Sequence, residues 1–411
     1  MRSLFPLIAL LINSPLFSQD TLSPEVVSNF SYSFNLAHLS LQGEGAKILE
    51  KEFQESQFVL LGETHDDAEI AKFTKTIIPL LKANGFHYFF TENGNTSLQL
   101  MLDTLKNSAA ISQAHQNFYQ NEIQKTGFIP LPFFKGKEDL AFLEASLKNK
   151  MELRGIDQEY IYSYALLFEA LLALSDRSPE IIAAHHKARD VLLRAYHSLQ
   201  SSKDFDFFKK LAQSQEIKSF LELLDTENSE IAEIVNSLSD SWLIYSLNES
   251  NIQASYTQRG ALMQKQFQRF YAEAVEKDSP APKILIKMGA LHTMRGKNPL
   301  GILDIGEHVS TLANKNQSKD LNLLFMFRYY LDSEESLGYF DNADNNSQWV
   351  KERQAFSLQG KVEEWTLIDL KAVKNYVREK NLFVYPPLIQ ILSQNDYVII
   401  PPATRDIVPN Y

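Results

Sequence analysis

The sequence predicts an α/β protein in which a mainly parallel sheet is flanked by helices and carries a large all-helical insertion over the C-terminal edge of its strands. Two observations predict this class. Short apolar runs of strand length alternate with segments whose apolar residues repeat at helical spacing. Between residues 160 and 278 the alternation stops, and a segment with one proline and one glycine keeps helical spacing throughout. We therefore expect an α/β core over residues 24–159 and 281–411 and a helical insertion over residues 160–280.

The first strand and helix units begin near residue 57. Phe58–Gly62 is a short apolar run that ends in glycine, as a buried parallel strand does. Asp66 and Asp67 follow at a position suited to capping a helix, and apolar residues at helical spacing come next. A second strand is predicted over Phe86–Thr91 and a second helix over Ser97–Leu105. This succession indicates a right-handed parallel unit.

The remaining core elements are predicted from the same two patterns. Residues 108–150 are expected to be irregular, and the proline-rich stretch Ile129–Phe134 within them is expected to form a loop or lid. A helix is predicted over Ala372–Arg378. The further predicted strands are Met151–Ile156, Lys283–Gly289, Leu303–Ile305, Leu321–Phe327, Trp365–Leu370 and Tyr397–Ile400.

Residues 1–18 resemble a secretory signal peptide. Arg2 precedes an apolar stretch that is too short to span a bilayer comfortably, and Ser18 is a small residue at which cleavage could fall. A short membrane anchor or a buried N-terminal helix is the alternative. No later segment approaches about 20 apolar residues. We therefore expect an exported protein, periplasmic or extracellular, with no transmembrane segment after signal removal.

Composition excludes several classes of function. The formal net charge is −11 and no block of lysines and arginines occurs, which argues against binding nucleic acid through its phosphates. The sequence contains no cysteine, which excludes disulfides, thiolate nucleophiles and cysteine-bound metals, and also a lipoprotein anchored through an N-terminal cysteine. Any metal would have to bind to histidine, aspartate, glutamate or other oxygen donors.

Polar side chains follow four of the predicted parallel strands. They are Glu63 and His65, Glu92, Asp157, and His292, and both histidines stand in Gly-x-x-His sequences. In open α/β sheets the ligand crevice lies outside the carboxyl ends of the strands, so residues distant in sequence can share one pocket there. Imidazoles and carboxylates in that position suit general acid–base catalysis or a metal site without sulfur ligands.

A purely structural interpretation of the same residues has to be weighed against this. Glu63 and Glu92 are each placed to cap the helix that follows, and a histidine after a strand is more often a hydrogen-bonded loop residue than a catalyst. The convergence of all these groups on one sheet edge favours a functional site. The sequence therefore predicts a site at that edge.

Three stretches carry a resemblance to a known superfamily. Leu60–Asp66, Thr91–Gly94 and Lys287–His292 resemble the superfamily that unites erythromycin-esterase-like proteins, ChaN-like haem-binding lipoproteins and Tiki proteases. The similarity spans residues 41–409. The Gly-Glu-Thr-His sequence is closer to the ChaN and Tiki members, whereas the longer layout, with Arg259 on a late helix, is closer to the esterases.

The resemblance implies active-site roles for Glu63, His65, Glu92 and His292. In esterase-like members the first histidine acts as general base on water without an obligatory metal. In Tiki-like members the equivalent residues support a metal-dependent hydrolase, so the same four residues would be the metal ligands here, with Mn, Fe, Zn or Co as the ion. ChaN-like members bind haem instead. The cofactor thus stays open between none, a divalent metal and haem.

Asp157 and Arg259 are the predicted substrate-binding residues. Arg259 lies on a helix of the predicted insertion, and two roles are open for it: it binds a substrate carboxylate, or it pairs with a buried acid such as Asp157. Neither the spacing nor the composition decides between them.

The leading hypothesis is an exported hydrolase that cleaves an ester or amide bond of a small-molecule or peptide substrate. In it His65 is the general base, Glu63 and Glu92 orient it, and His292 is the acid or a second imidazole ligand. The rival hypothesis is a ChaN-like protein that binds haem or iron without catalysis. A catalytically inactive protein on the same fold is the third. The sequence does not determine the oligomeric state.

Overall fold

The computed structural model describes residues 21–37, 40–201, 207–277, 281–333, 336–340 and 348–411. The proposed signal peptide, residues 1–18, lies outside the described residues. None of the helices in the described ranges combines the length and the apolar character that crossing a membrane requires.

Within those residues nine strands form one sheet in the order β2-β1-β10-β11-β7-β3-β6-β4-β5, and β8 pairs with β9 in a separate hairpin. The pairings from β11 through β7, β3, β6 and β4 to β5 are parallel, and the pairings from β2 through β1 and β10 to β11 are antiparallel. The strands are β1 (Ser31–Ala37), β2 (Ser40–Gly43), β3 (Phe58–Glu63), β4 (Phe86–Gly94), β5 (Glu152–Asp157), β6 (Lys283–Gly289), β7 (Asp320–Phe325), β8 (Tyr329–Ser333), β9 (Ser336–Tyr339), β10 (Trp365–Asp369) and β11 (Tyr397–Ile400).

Helices cover both faces of this sheet, as the predicted α/β class requires. The helices are α1 (Pro24–Ser28), α2 (Glu44–Glu55), α3 (Ala68–Ala83), α4 (Asn95–Lys106), α5 (Ile111–Thr126), α6 (Lys137–Lys148), α7 (Tyr164–Leu174), α8 (Pro179–Ser201), α9 (Phe207–Gln213), α10 (Gln215–Glu222), α11 (Ser229–Ser250), α12 (Ile252–Lys277), α13 (Ala290–Thr293), α14 (Ile305–Lys315), α15 (Gln348–Ser357), α16 (Leu370–Lys380) and α17 (Pro386–Gln394).

The parallel strands are apolar on both faces because each face is covered. Successive side chains of a strand point to opposite faces, and in β3 Val59 and Leu61 join one hydrophobic cluster while Phe58 and Leu60 join another. Every residue of β3 is buried. The near-continuous apolar run of this strand is therefore what a doubly covered parallel strand requires.

The helical segment after β5 contributes to two different clusters. Helices α7 to α11 share a cluster of their own, which contains Phe168, Phe220 and Trp242. Helix α12 instead places Met263 and Phe267 in the cluster that covers the sheet. Helix α12 therefore links the insertion to the core and reaches the carboxyl edge of the strands. The α/β class, the mainly parallel sheet and the helical segment over that edge are confirmed.

Residues 108–150 are more regular than the sequence suggested. The prediction of an irregular stretch was wrong for most of it, because helices α5 and α6 occupy 28 of its residues. Apolar side chains of both, Phe118 and Tyr119 in α5 and Phe142 and Leu143 in α6, pack into the main cluster. The proline-rich connection between the two helices is a loop, as expected, and residues 108–110 and 149–150 are the short ends of the stretch outside the helices.

The strand predicted over Leu303–Ile305 does not exist. Leu303 forms only an isolated bridge with Lys297, and α14 begins at Ile305. Asp304 is the physical reason, because its side chain accepts a hydrogen bond from the backbone N–H of Ile305 at 2.8 Å and caps the helix. The short apolar sequence around it is thus the start of a helix that buries one face, with Ile305 and Val309 on that face.

Candidate active site

The sheet brings the predicted site residues to one edge. Glu63 is the last residue of β3 and His65 follows it, Glu92 lies near the end of β4, Asp157 ends β5, and His292 lies in α13 directly after β6. These four strands are adjacent and parallel in the order β3-β6-β4-β5, so their carboxyl ends lie side by side. The polar residues after each strand therefore line one crevice.

His65 lies between two carboxylates. Its Nδ1 is 3.1 Å from Glu63 Oε1, and its Nε2 is 3.6 Å from Glu92 Oε2. Burial alone would lower the pKa of His65, but the hydrogen bond with Glu63 and the negative charges of Glu92 and Glu63 outweigh it and raise the pKa above its ordinary value. The His65 side chain is 30% exposed, so the ring can be reached from the crevice.

Glu92 is the residue on which the site converges. Its carboxylate lies 2.7 Å from Arg259 Nη2 and 3.4 Å from His292 Nε2, and it accepts the backbone N–H of Gly289 at 2.6 Å. Burial alone would raise the pKa of Glu92, but the charges of His292 and Arg259 and the hydrogen bond with His292 lower it well below its ordinary value. Glu92 is therefore ionised while almost completely buried.

His292 is held as a cation. Its Nδ1 is 2.7 Å from Asp304 Oδ2, and its Nε2 faces Glu92. Burial alone would lower the pKa of His292, but the charge of Glu92 and the hydrogen bonds with Asp304 and Glu92 raise it to about 10. With both ring nitrogens facing carboxylates, the imidazolium is the form that this environment favours.

Arg259 pairs with Asp157 through two hydrogen bonds. The distances are 3.0 Å from Nε to Asp157 Oδ1 and 2.5 Å from Nη2 to Asp157 Oδ2, and the same Nη2 contacts Glu92. This two-pronged geometry is the strongest form of an arginine–carboxylate contact. Of the two roles left open for Arg259, the ion pair with Asp157 is thus present in the structure.

Three residues of the site were missed in the sequence. Lys287, in β6, lies 2.5 Å from Glu63 Oε2 and is buried. A lysine inside an otherwise apolar strand is a signal that could have identified it, because a buried lysine needs a partner. Asp304 was assigned to a strand that does not exist. Phe133 stacks on the ring of His65 with centroids 4.0 Å apart, and no pattern in the sequence indicated this contact.

The charge of Lys287 also sets the state of Glu63. Burial alone would raise the pKa of Glu63, but the charge of Lys287 and the hydrogen bond with His65 lower it. The site then holds the acidic side chains of Glu63, Glu92, Asp157 and Asp304 against the basic side chains of Lys287, Arg259 and His292. Of these groups, Glu63 and Glu92 act on His65 directly and favour its protonated ring.

The two glycines of the Gly-x-x-His sequences have different tasks. A Cβ on Gly62 would lie 2.4 Å from Thr293 Oγ1, so this glycine lets α13 approach β3. A Cβ on Gly289 would lie 3.0 Å from His65 Nε2 and 3.2 Å from Glu92 Oε2. Gly289 therefore keeps free the space in front of His65. This need for space, rather than a need for chain flexibility, explains the glycine at this position.

The donor set does not fit a divalent metal ion. Glu63 is bound by Lys287 and Glu92 by Arg259, so both carboxylates are already paired with protein cations. A metal would have to displace protein cations that already neutralise these carboxylates. No group of three or more histidine, aspartate or glutamate side chains in the described ranges is arranged to hold a metal ion.

The cavity behind His65 has a volume of only about 10 Å³, which is room for one water molecule. It is lined by Glu63, Thr91, Glu92, Asn93, Phe133, Phe134, Phe142 and Lys287.

Comparison with known proteins gives the fold. No protein-family profile matches the sequence, and no curated protein matches it. Among solved structures, a protein named for succinoglycan biosynthesis has a TM-score of 0.55 at 14% identity, with 94% of this chain and 97% of that chain covered. Erythromycin esterase EreC, as a histidine-to-asparagine variant in its open conformation, has a TM-score of 0.54 at 15% identity over 91% and 98%. A Bacillus cereus protein has a TM-score of 0.53 at 15% identity over 93% and 97%. The chain therefore has the fold of erythromycin esterase, and at this level the resemblance found in the sequence is confirmed.

Proposed function

We propose that this chain is a hydrolase in which His65 takes a proton from water as that water attacks the carbonyl carbon of an ester or amide. One observation carries the proposal. His65 is fixed by Glu63 through Nδ1, while its other nitrogen faces the crevice beside Glu92. This is the arrangement of a general base with an orienting carboxylate.

The tautomer of His65 follows from its partners. Glu63 is ionised and can only accept, so Nδ1 of the neutral ring carries the hydrogen and donates it to Glu63 Oε1. The lone pair is then on Nε2, on the crevice side. When Nε2 takes a proton from water, Glu92 stabilises the resulting imidazolium. The same proton can then pass to the departing alkoxide or amine.

His292 has a different role from His65 in this proposal. Because its pKa is raised to about 10, it stays protonated near neutral pH and is a weak source of protons there. We therefore assign it to electrostatic stabilisation of the negative charge that develops on the carbonyl oxygen, rather than to proton transfer. A buried cation held in place by Asp304 and Glu92 is well suited to that task.

Arg259 and Asp157 hold the rim of the crevice. Asp157 fixes the guanidinium in one orientation, and Arg259 in turn fixes Glu92. The Arg259 side chain is 27% exposed. In the proposal its exposed part binds a polar group of a small-molecule or peptide substrate, while its paired edge keeps the catalytic carboxylate in place.

The structural comparison supports an ester as the first substrate class to test. EreC is an erythromycin esterase with the same fold, and a site whose carboxylates are paired with Lys287 and Arg259 fits a mechanism based on histidine. Export of the mature chain is part of the proposal too, supported by the signal-like residues 1–18. N-terminal sequencing of protein recovered from the periplasm or the medium would test it, and a start near residue 19 is expected.

The experiment that tests the hydrolase is a panel of chromogenic esters and amides with purified mature protein, dialysed against a chelator. We expect hydrolysis by the wild type and its loss in the His65→Ala, His292→Ala double variant. His186→Ala is the matched control, because His186 is an exposed histidine of the insertion. Equal hydrolysis by the double variant contradicts the proposal, and a Soret band on titration with haemin favours the binding protein instead.

A further inference from the structure

We propose that Phe133 is a positioning residue that fixes the ring of His65, and that residues 130–135 form a fixed wall of the crevice rather than a moving lid. The inference rests on the proposed function for its catalytic meaning. Its structural part stands on the contacts of the loop between α5 and α6. Because these two parts use different measurements, they can fail separately.

The contact between the two rings is a close stack. The ring centroids of His65 and Phe133 are 4.0 Å apart and the ring planes differ by 26°. Glu63 holds one edge of the imidazole and Phe133 covers one face. The two contacts act on different rotations of the side chain, so together they leave the ring one orientation, with Nε2 towards Glu92.

The backbone at Phe133 is strained in a way that requires support. Its φ is +67°, in the left-handed region that residues with a Cβ seldom adopt. Such conformations persist where the surroundings enforce them, and they concentrate at functional sites. Asp66, next to His65, has a φ of +64°, so the loops on both sides of the stack share this feature.

The support comes from the carbonyl groups of the loop. Five of the six carbonyls over residues 130–135 accept a hydrogen bond from another part of the chain, and only that of Phe133 has no such bond among the described contacts. The donors are Ser163 Oγ to Pro130, Tyr119 Oη to Leu131, Asn93 Nδ2 to Pro132, His115 Nε2 to Phe134 and the Asn410 N–H to Lys135. A loop tied at successive carbonyls has little freedom to open.

His115 connects two parts of this hydrogen-bond network. It is fully buried, and its Nε2 lies 2.7 Å from the carbonyl oxygen of Phe134. A carbonyl only accepts, so Nε2 carries the hydrogen, and Nδ1 accepts from Asn410 Nδ2 at 3.0 Å. Burial lowers the pKa of His115, which keeps this neutral tautomer at working pH. The segment near residue 410 is thereby connected to the loop that carries Phe133.

A second connection joins this loop to the loop after β3, which carries His65. Lys135 Nζ lies 2.6 Å from Asp66 Oδ2, and the backbone N–H of Ile407 donates to the Asp66 carbonyl at 2.9 Å. The same C-terminal segment therefore contacts both loops. The positions of Phe133 and His65 relative to each other are therefore fixed from two sides, which is what a positioning role requires.

The test compares Phe133→Leu with Phe133→Tyr. Leucine preserves bulk and burial but removes the aromatic face that stabilises an imidazolium, and tyrosine preserves the face. In the leucine variant we expect the pKa of His65, followed by NMR of its ring, to fall by roughly half a pH unit. We also expect kcat on a hydrolysed ester to fall about 10-fold with KM nearly unchanged, because the ring loses its orientation. The tyrosine variant should match the wild type in both.

Two further variants make the result decisive. Phe128→Leu is the matched control, because Phe128 begins the same connection but stacks on Tyr162 instead of His65. Asn410→Ala removes a tie remote from His65 and should shift the same readouts in the same direction by less. An unchanged titration of His65 in both Phe133→Leu and Asn410→Ala overturns the proposal. If the wild type hydrolyses nothing, the proposed function fails, and the NMR titration still decides the positioning claim.

Discussion

Glu92 shows how single residues define this site, because its carboxylate contacts both histidines and Arg259. Each of its contacts biases the protonation of a neighbour. It raises the pKa of His65 and of His292, and both histidines in turn keep Glu92 ionised. The different roles assigned to the two histidines follow from their second partners. His292 has a buried aspartate behind it, whereas His65 has a glutamate whose charge Lys287 partly neutralises.

Asp304→Asn tests the role of His292. Asparagine can keep the helix cap at Ile305, but it removes the negative charge 2.7 Å from His292 Nδ1. The protonated ring loses stabilisation, so the pKa of His292 should fall below about 10. We expect kcat to fall on the order of 100-fold, with the pKa followed by NMR. Asp103→Asn, at an exposed aspartate of α4, is the control. A variant with full kcat despite a lowered pKa of His292 would contradict the electrostatic role.

The residues of the site were predictable from the sequence to different degrees. Glu63, His65, Glu92, Asp157 and His292 were predictable because each follows an apolar strand, and parallel strands end at a common edge. Lys287 and Asp304 were not identified, since their importance depends on which buried charge they face. Phe133 was out of reach, because its contact with His65 is made by a loop whose course no local pattern determines.

At the scale of elements, the site depends on how closely β3, β6 and α13 approach one another. Six residues of β3 pair in register with β6, from Phe58 opposite Ile284 to Glu63 opposite Gly289. This register places Gly289 beside His65, and the missing side chain there leaves room for the reaction. The close spacing of the strand ends therefore determines how much room the reacting groups have at His65.

Gly289→Ala is the prediction at this scale. Gly289 has φ −52° and ψ 139°, which alanine adopts freely, so the fold should tolerate the change. The new Cβ would press on His65 Nε2 from 3.0 Å and displace the ring. We expect kcat/KM to fall roughly 100-fold, with a thermal midpoint within about 3 °C of the wild type.

Gly260→Ala supplies the comparison for that variant. Gly260 lies inside α12, and a Cβ there would press on the flexible Ile302 Cδ1 at 3.3 Å and would stand at ordinary contact distance, 3.8 Å, from Asp304 Oδ1. Alanine should keep the activity and stabilise the helix by up to about 1 kcal/mol. Full activity in Gly289→Ala, or equal losses in both variants, would show that the space in front of His65 has no special importance.

The elements themselves were predictable where the local signal was strong. The buried parallel strands were found because both faces are apolar, which gives continuous runs. Helices α5 and α6 were missed because the proline-rich connection between them suggested a longer irregular region. Strands β1 and β2 at the antiparallel side were missed too, since their half-buried sequences lack a continuous apolar run.

At the scale of the whole molecule, one buried acid couples stability to pH. Asp139, in α6, is almost fully buried and accepts the N–H of Gly136 at 3.0 Å. Burial raises the pKa of Asp139 to about 7, even though Lys287 and the Gly136 N–H act in the opposite direction. In the unfolded chain the same carboxyl ionises near 3.8. The folded state therefore holds a proton that the unfolded state has lost over this interval.

Wild-type stability should fall as the pH rises through about 7, relative to Asp139→Asn. The stabilising contribution of the bound proton is complete below pH 3.8 and is lost above the pKa of the folded state. Between pH 5 and pH 8 the free energy of unfolding of the wild type should drop by about 2 to 3 kcal/mol more than that of the variant. Urea unfolding at both pH values measures it, and parallel pH dependences would contradict the assignment.

The central claim is that His65 is the base, and one measurement tests it most directly. The pKa of His65, determined by NMR titration of its ring, is compared with the acid limb of kcat/KM against pH, in the wild type and in Glu92→Gln. We predict that the pKa of His65 and the midpoint of the acid limb coincide, and that both lie above the ordinary histidine pKa of 6.5, because activity requires the neutral ring. Both should fall together in Glu92→Gln, since the lost charge no longer stabilises the imidazolium. An acid limb that stays in place while the pKa of His65 moves would contradict the account.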